Sequence, residues 1–416
     1  MSRRMDSGER CERKHTPGAG FEGNSGGGTH VRRRLPLTIR ATLTLCLIAL
    51  VLIPSMAWAS RGVSNSISYI SIEADTGFVI EEHNADVPRP AASMVKMVMM
   101  LMVAEGIEEG RWTLETPIET SAHAASMDGT QVYLQRGDVH SLEAMVRAIA
   151  VISANDAATA IAENLWGSEA AYLEAMNKRV REWGMTDSTF YSVNGLPPRD
   201  DNTPFDRTTA RDMAILGQWC VRNPLVMEWA GQQSLRFSEN AGIRGTTNRL
   251  LGRTDEIDGI KTGYTRAAGF CITSTAKRDD VRVIAVVMGH PNRDERFDLA
   301  QGLLEDALRD IRRVTLVAAG EPIDSEVTVY NSTLASFRPV AAEDLQVIIR
   351  ESDRDRLRMV AQPPRFVRAP LAAGEAVGEM AVQLGDQLLQ AVALVTPDPI
   401  ESPGWRFKLQ QAALRN

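Results

Sequence analysis

The sequence predicts an α/β fold in which an antiparallel sheet with a helical lobe is followed by a small all-β domain. Strand-like segments lie at 68–82 and again at 259–288, and the residues between them carry helical apolar patterns. This order implies one sheet that is completed by segments far apart in the chain. After Pro322, short alternating stretches separated by Gly, Pro and Asp indicate strands without intervening helices.

Composition excludes several classes of protein. The 416 residues suggest two or three domains, and 44% apolar with 24% charged residues are typical of globular proteins. A net charge of −7 gives no support to nucleic-acid binding. The four cysteines and six histidines include no HExxH motif, so we expect no metal and no cofactor.

The first 59 residues predict an export signal. Residues 1–30 are rich in Gly, Ser and charge, are typical of a disordered extension, and suggest a misassigned start with Val31 as the real one. Residues 31–59 show the order of a signal peptide: basic, then apolar, then Ala57-Trp58-Ala59 before the cut. An uncleaved membrane anchor is the alternative, because 41–59 nearly reaches the ~20 residues of a span. We expect an exported, periplasmic protein.

Residues 60–315 are predicted to form the catalytic domain. It starts with a hairpin of strands 68–74 and 77–82, and residues 92–104, apolar on every side, predict a buried helix. Helical patterns cover 142–184, interrupted near 153–156 and 166–167, and 211–221. Strands at 259–262, 269–274 and 281–288 precede an amphipathic helix at 299–312 that closes the domain.

Residues 320–397 are predicted to be the all-β domain, with strands at 326–330, 345–350, 379–384 and 390–395. Residues 398–416 are predicted to be a short amphipathic tail. Trp405 and Phe407 stand there among basic residues, a composition suited to peripheral contact with an anionic membrane. A frayed end is the alternative interpretation of the tail.

Two cysteines, Cys220 and Cys271, follow the predicted signal peptide. Each lies in an apolar stretch, the first helical and the second strand-like. Since cysteine packs well as a small apolar residue, two buried free thiols are favoured over a disulfide.

Ser93 and Lys96 are the first candidate catalytic pair, at the start of the predicted buried helix. Residues i and i+3 share a helix face, so the amine can reach the hydroxyl. Burial lowers a lysine pKa by disfavouring the charged form, which makes a general base available. A second Ser-x-x-Lys at 274–277 lies on a predicted strand, where the two side chains point to opposite faces, and we interpret it as chance.

Ser153 and Asn155 supply a second hydroxyl and an amide, in a predicted break after an apolar helix. Such a break lets side chains enter a cleft. Ser-x-Asn also recurs at 192–194 and 238–240, so a helix cap is an equal alternative for the motif taken alone.

Lys261, Thr262 and Gly263 form a Lys-Thr-Gly triplet that occurs once, at a predicted strand edge. A lysine and a hydroxyl there can hold a carboxylate, and glycine lets a substrate come close to the backbone. A surface turn is the alternative for an isolated match.

Together the three motifs occur in chain order, each in the structural setting that its chemistry needs. The combination resembles the penicillin-recognising serine enzymes, and within them the low-molecular-mass penicillin-binding proteins, the serine-type D-alanyl-D-alanine carboxypeptidases of peptidase family S11. The resemblance covers about residues 65–313. It implies a penicillin-binding/β-lactamase-like domain. The region around Arg368 resembles that family's C-terminal domain, and residues 404–416 resemble a shortened membrane tail.

The resemblance implies a role for each residue. Ser93 would attack the penultimate D-alanine carbonyl of a peptidoglycan stem peptide and form an acyl-enzyme, with Lys96 taking its proton. Ser153 would relay a proton to the leaving D-alanine, and Asn155 would hold the substrate amide. β-Lactam antibiotics would acylate the same serine.

The remaining implied roles concern the Lys-Thr-Gly side of the cleft. Lys261 and Thr262 would bind the terminal carboxylate, and Arg296 would assist them. The backbone N–H groups of Ser93 and Tyr264 would form the oxyanion hole.

Three rival functions remain open. A class A-type β-lactamase shares the motifs, but needs a glutamate some 35 residues beyond Ser-x-Asn, and 186–196 contains none. A D,D-endopeptidase acting on cross-links is not distinguished by sequence. A non-catalytic peptidoglycan-binding protein is disfavoured because every expected reactive group is present.

Overall fold

The computed structural model describes residues 66–404 except 199, 201 and 240. The predicted extension, the predicted signal peptide and residues 405–416 of the predicted tail lie outside the described residues. Within the described part, no helix has both the length and the apolar character that crossing a bilayer requires.

The region up to residue 310 contains nine strands and eight α-helices among the described residues. The strands are β1 (Ser68–Glu73), β2 (Val79–His83), β3 (Pro117–Glu119), β4 (Val139–Ser141), β5 (Ser234–Leu235), β6 (Arg244–Gly245), β7 (Ile257–Thr265), β8 (Gly269–Arg278) and β9 (Val281–His290). The helices are α1 (Lys96–Glu108), α2 (Ala122–Ala125), α3 (Leu142–Arg147), α4 (Asn155–Trp166), α5 (Glu169–Glu182), α6 (Ala210–Arg222), α7 (Pro224–Ala230) and α8 (Glu295–Asp310).

The main sheet is antiparallel, with strand order β2-β1-β9-β8-β7. The N-terminal strand β1 pairs with the distant β9, as in the register of Ile70 with Val286. This confirms the predicted sheet built from distant segments. The strands β8 and β9 are buried on both faces, because the helical lobe covers one face and α8 the other. Continuous apolar runs, rather than alternation, are the sequence pattern of such strands.

Helix α1 runs through the middle of the helical lobe and is buried on nearly every side, as predicted. A 3₁₀ turn, Ala92–Val95, precedes it and carries Ser93. The turn packs on β7 and β8, so the serine lies where the helical lobe meets the edge of the sheet.

Helix α8 begins and ends earlier than the predicted 299–312. Its start is moved because Asn292 Oδ1 accepts the backbone N–H groups of Asp294 and Glu295, at 2.8 and 3.2 Å. Its end is moved because Ile311 already pairs with Arg350 in a strand. Pairing with a distant segment overrides the local helical pattern there.

The residues after α8 form strands, as predicted, with one 3₁₀ turn at Glu351–Arg356. The strands are β10 (Ile311–Val317), β11 (Val327–Tyr330), β12 (Ser336–Phe337), β13 (Val340–Ala341), β14 (Leu345–Arg350), β15 (Leu357–Gln362), β16 (Phe366–Arg368), β17 (Ala376–Leu384) and β18 (Gln387–Val395). They enclose two small apolar cores of their own. The division into domains at 60–315 and 320–397 stays a prediction.

Both cysteines of the described part are buried and unpaired, as predicted. Cys220 lies in α6 and Cys271 in β8. Burial raises the pKa of the Cys271 thiol to about 11 and raises that of Cys220 further. The 274–277 Ser-x-x-Lys does lie on a strand, where Ser274 is buried and Lys277 exposed, which supports its interpretation as chance.

Candidate active site

The side chains of Ser93 and Lys96 are in contact. The Lys96 Nζ lies 2.9 Å from the Ser93 Oγ, because the serine occupies the 3₁₀ turn and the lysine is the first residue of α1. Nζ also lies 2.7 Å from Asn155 Oδ1 and 2.9 Å from the backbone oxygen of Asn194. The lysine is therefore surrounded by three oxygens of the protein.

The environment of Lys96 favours its uncharged form. The side chain has no exposed surface, and this burial is the main reason that its pKa lies well below the ordinary value of a lysine. The positive charge of Lys261 lowers the pKa further, whereas Asp156 opposes the shift. The amine is thus prepared to accept a proton, as the sequence analysis expected.

Ser153 stands in the predicted break between helices. A π-helical turn, Ala148–Ile152, ends at Ser153, which has a left-handed backbone with φ of 68°. Its Oγ is buried, lines the cleft beside Ser93 and has no hydrogen-bond partner among the described residues. A hydroxyl in this position is available to a bound molecule.

Asn155 begins α4 and bridges two parts of the lobe. Its Oδ1 accepts from Lys96, and its Nδ2 donates to the backbone oxygen of Asp128 at 2.6 Å. Its own N–H donates to Thr130 O at 2.7 Å. The amide contacts the candidate base directly, whereas its expected contact with a substrate stays a prediction.

Lys261 and Thr262 lie on β7, one of the two edge strands of the main sheet, as predicted. The Lys261 Nζ donates to Thr262 O at 3.0 Å, and Thr262 Oγ1 donates to Thr247 Oγ1 at 2.7 Å. Burial, reinforced by the charge of Arg296, lowers the pKa of Lys261 to about 7.

Gly263 also has a packing role, which its sequence pattern does not predict. A Cβ at this position would lie 2.9 Å from Ala91 O and 3.2 Å from Met94 Cγ. The glycine therefore lets β7 come against the turn that carries the candidate nucleophile. Tyr264, the next residue, lines the cleft and stacks on Phe270, with ring centroids 4.2 Å apart.

Arg296 lies in the first turn of α8, behind β7. Its Nη1 donates to Cys271 O at 2.8 Å and to Gly263 O at 3.4 Å, and its guanidinium lies 4.0 Å from the centroid of the Phe297 ring. The side chain lines the cleft, and burial lowers its pKa to about 10. Its charge is therefore positioned at the Lys-Thr-Gly end of the cleft.

Sequence reasoning missed Asn194 and Gly195. The Asn194 backbone oxygen faces both Lys96 and Ser93, and Ser93 Oγ lies 3.4 Å from it. Gly195 has φ of 82°, and a Cβ there would lie 2.1 Å from Ala92 O. The sequence signal for this loop is the Ser-x-Asn at 192–194, which by itself indicates only a repeat of the motif.

A cleft of about 400 Å³ lies beside Ser93 and Ser153. Lys96, Asn155 and Lys261 are buried and are not among the residues that line it. Its lining is mainly polar and includes six hydroxyl groups and two guanidinium groups. The lining residues are Ser93, Thr130, Ser153, Thr247, Thr262, Gly263, Tyr264, Phe270, Arg293 and Arg296.

A serine beside a buried lysine, between a helical lobe and the edge of an antiparallel sheet, defines an acyl-transferring serine enzyme of the penicillin-recognising class. Comparison with known families gives the narrower assignment. Residues 57–292 match the D-alanyl-D-alanine carboxypeptidase family of peptidases, and residues 312–402 match the C-terminal domain of penicillin-binding protein 5. The chain belongs to the D-alanyl-D-alanine carboxypeptidase family and is a hydrolase.

Relatives agree with this assignment. The chain is 27% identical over 342 residues to the D-alanyl-D-alanine carboxypeptidase DacF of Bacillus subtilis, covering 81% of this chain and 86% of that protein. A crystal structure of penicillin binding protein 5 from Haemophilus influenzae has a TM-score of 0.67 at 25% identity, covering 80% and 97% of the two chains. A D-alanyl-D-alanine endopeptidase of Pseudomonas aeruginosa is 27% identical, covering 53% of this chain and 70% of that protein.

Proposed function

We propose that this chain removes the terminal D-alanine from peptidoglycan pentapeptides through an acyl-enzyme on Ser93. The observation that carries the proposal is the 2.9 Å contact between the Ser93 hydroxyl and the fully buried Lys96 amine, whose pKa lies far below the ordinary value. A hydroxyl becomes a nucleophile when an adjacent neutral base takes its proton.

The contacts of Lys96 match a neutral amine. Such an amine has two N–H donors and one lone pair. Nζ lies within hydrogen-bond distance of three oxygens, Asn155 Oδ1 at 2.7 Å, Asn194 O at 2.9 Å and Ser93 Oγ at 2.9 Å. In the neutral form, the first two oxygens accept its two hydrogens and its lone pair faces the Ser93 hydroxyl. The two acceptors thus orient the base toward the nucleophile before substrate arrives.

In the acylation step, Ser93 Oγ bonds to the carbonyl carbon of the penultimate D-alanine while its proton passes to Lys96. The backbone N–H groups of Ser93 and Tyr264 stabilise the oxyanion. Collapse breaks the peptide bond, and Ser153, whose hydroxyl has no partner among the described residues, relays the proton to the leaving amine. Water then attacks the ester and releases the shortened peptide.

The Lys-Thr-Gly side holds the substrate. Lys261 and Thr262 bind the terminal carboxylate, Asn155 holds the substrate amide, and Gly263 lets the backbone of β7 lie close to the reacting atoms. Arg296 assists through its charge: the Cys271 and Gly263 carbonyl groups hold its Nη1, whereas its Nε has no hydrogen-bond partner among the described residues. A β-lactam, which carries a carboxylate beside a strained amide, would acylate Ser93 in the same cleft.

One observation separates this function from that of a class A β-lactamase. The 186–196 segment reaches Ser93 and Lys96 with a backbone carbonyl, Asn194 O, and contains no glutamate that could activate a deacylating water. Slow hydrolysis of penicillin is therefore expected. Release of cross-linked peptides in place of D-alanine would favour the endopeptidase alternative.

The test is mass spectrometry of the purified protein with penicillin and with a pentapeptide. We expect a penicilloyl adduct on Ser93 and loss of one D-alanine from the peptide. Ser93→Ala should abolish both, whereas Ser274→Ala, in the second Ser-x-x-Lys, should keep both. Unchanged D-alanine release by Ser93→Ala would contradict the assignment of the nucleophile.

We also propose export to the periplasm and peripheral contact of the tail with the membrane. The signal-peptide pattern of residues 31–59 and the aromatic and basic residues of 404–416 support these two points. N-terminal sequencing of the mature protein should find Ser60 first. Sedimentation with anionic vesicles should be lost on truncation after Gly404, and equal sedimentation of both forms would contradict the tail's role.

A further inference from the structure

One peptide group, that between Asn194 and Gly195, reaches the base and the nucleophile. Its carbonyl oxygen lies 2.9 Å from Lys96 Nζ and 3.4 Å from Ser93 Oγ. Because a trans peptide is planar, its N–H points opposite to its C=O, and whatever holds the N–H also sets the direction of the carbonyl.

Ser192 and Asp206 hold that N–H. Gly195 N donates to Ser192 Oγ at 2.9 Å, and Ser192 Oγ donates to Asp206 Oδ2 at 2.6 Å. The other oxygen, Asp206 Oδ1, accepts the backbone N–H groups of Tyr191 and Ser192, at 2.7 and 3.0 Å. A charged acceptor makes such bonds short and strong.

The Asp206 carboxylate is itself held in place by the surrounding backbone. Asp206 is only 7% exposed, and the next residue, Arg207, exchanges two backbone hydrogen bonds with Thr189 at 2.7 and 2.8 Å. The loop that carries Asn194 is therefore held on two sides. Asp206 connects it to the Thr189–Arg207 backbone pair, and Gly195 packs against the turn that carries Ser93.

We propose that Ser192 and Asp206 are positioning residues for acylation: they orient the Asn194–Gly195 peptide so that its carbonyl keeps Lys96 aimed at Ser93. This inference rests on the proposed function of Ser93 and Lys96. Neither positioning residue touches substrate, so their loss lowers the rate of the chemical step and leaves substrate binding in place. A misplacement of about 1 Å near reacting atoms costs up to about 100-fold in rate.

The test uses the full chain and the rate of acylation by a fluorescent penicillin over a range of concentrations. Ser192→Ala removes the hydroxyl that links Gly195 to Asp206. We expect the maximal acylation rate to fall by about tenfold or more, with the half-saturating concentration unchanged. Ser192→Thr, which keeps a hydroxyl, should recover most of the rate.

A matched control lies in the same loop. Ser188 Oγ donates to Asp212 Oδ2 at the same 2.6 Å, but this pair has no bond to the 194–195 peptide. Ser188→Ala should lower the melting temperature by an amount similar to that caused by Ser192→Ala and leave the acylation rate near that of the wild type. A merely structural role for Ser192 predicts equal rates in the two variants.

The inference is overturned if Ser192→Ala acylates within twofold of the wild type, or if Ser188→Ala loses as much rate. Should Ser192→Ala fail to fold, Asp206→Asn decides in its place, since the amide keeps the backbone acceptor and removes the charge. A wild type that is acylated but releases no D-alanine from pentapeptide would refute the proposed function while leaving the comparison of acylation rates valid.

Discussion

At the scale of single residues, the two buried lysines have different proposed roles, which require opposite protonation states. Burial lowers the pKa of both, but the proposed mechanism needs Lys96 neutral and Lys261 charged. A lysine is charged below its pKa, and the pKa of Lys261 in the free enzyme is about 7. Carboxylate binding should therefore weaken above that pH. At acid pH Lys96 becomes protonated and no longer accepts the proton of Ser93.

The predicted pH profile follows from the protonation states that the two lysines need. We expect kcat/KM, which reports the free enzyme, to be bell-shaped with an alkaline limb near pH 7. Lys261→Arg should move that limb to higher pH, because arginine keeps its charge, even if the maximal rate falls. Steady-state kinetics with a D-alanyl-D-alanine peptide from pH 5 to about 10 measures this, and an identical alkaline limb in the variant would exclude Lys261 as its origin.

The candidate residues that the sequence predicts are those whose side chains carry the proposed chemistry. The contact between Ser93 and Lys96 is predictable because helical spacing brings i and i+3 together. Asn194 was missed because it acts through its backbone oxygen, which every residue type possesses. Its approach to Lys96 depends on a loop whose path is set by contacts distant in sequence.

At the scale of elements, the close packing of β7 on the turn that carries Ser93 fixes the two walls of the cleft. Gly263→Ala would place a Cβ 2.9 Å from Ala91 O, so the strand or the turn must shift. We expect penicillin acylation to fall by about tenfold or more with the fold retained. The control is Gly245→Ala on β6, where a Cβ meets nothing within 4 Å. Equal acylation rates in both variants would show that this packing is not needed.

Some boundaries of helices can be predicted from the sequence and others cannot. The break at 153–156 was predicted because the apolar helical pattern ends there, and the structure has a left-handed Ser153 at that place. The end of α8 was not predicted, because Ile311 leaves the helix to pair with Arg350, 39 residues further along the chain. Local patterns do not encode such pairings.

At the scale of the whole molecule, Arg313 ties β10 to the first hairpin. Its Nη2 lies 3.2 Å from Glu73 Oε1, a carboxylate with no exposed surface, and it also pairs with Asp75. Arg313→Gln should lower the free energy of unfolding by about 2 kcal/mol, because a buried charge loses its partner. Arg338→Gln, whose pair with Asp324 is solvent-exposed at 3.7 Å, should cost nothing measurable.

Thermal melts and acylation rates of both variants check this. The expected result is a lower melting temperature for Arg313→Gln alone, with acylation by penicillin unchanged in both. Similar melting temperatures for the two variants would show that Glu73 does not depend on the arginine, since it also accepts two hydrogen bonds from Thr76.

The two buried thiols have a consequence for how the chain matures. Cys220 and Cys271 are enclosed in different elements, and burial raises the pKa of each, so little thiolate forms at neutral pH. The native arrangement of the described part thus requires no oxidant and no disulfide isomerase, and reducing agents such as dithiothreitol should leave it intact.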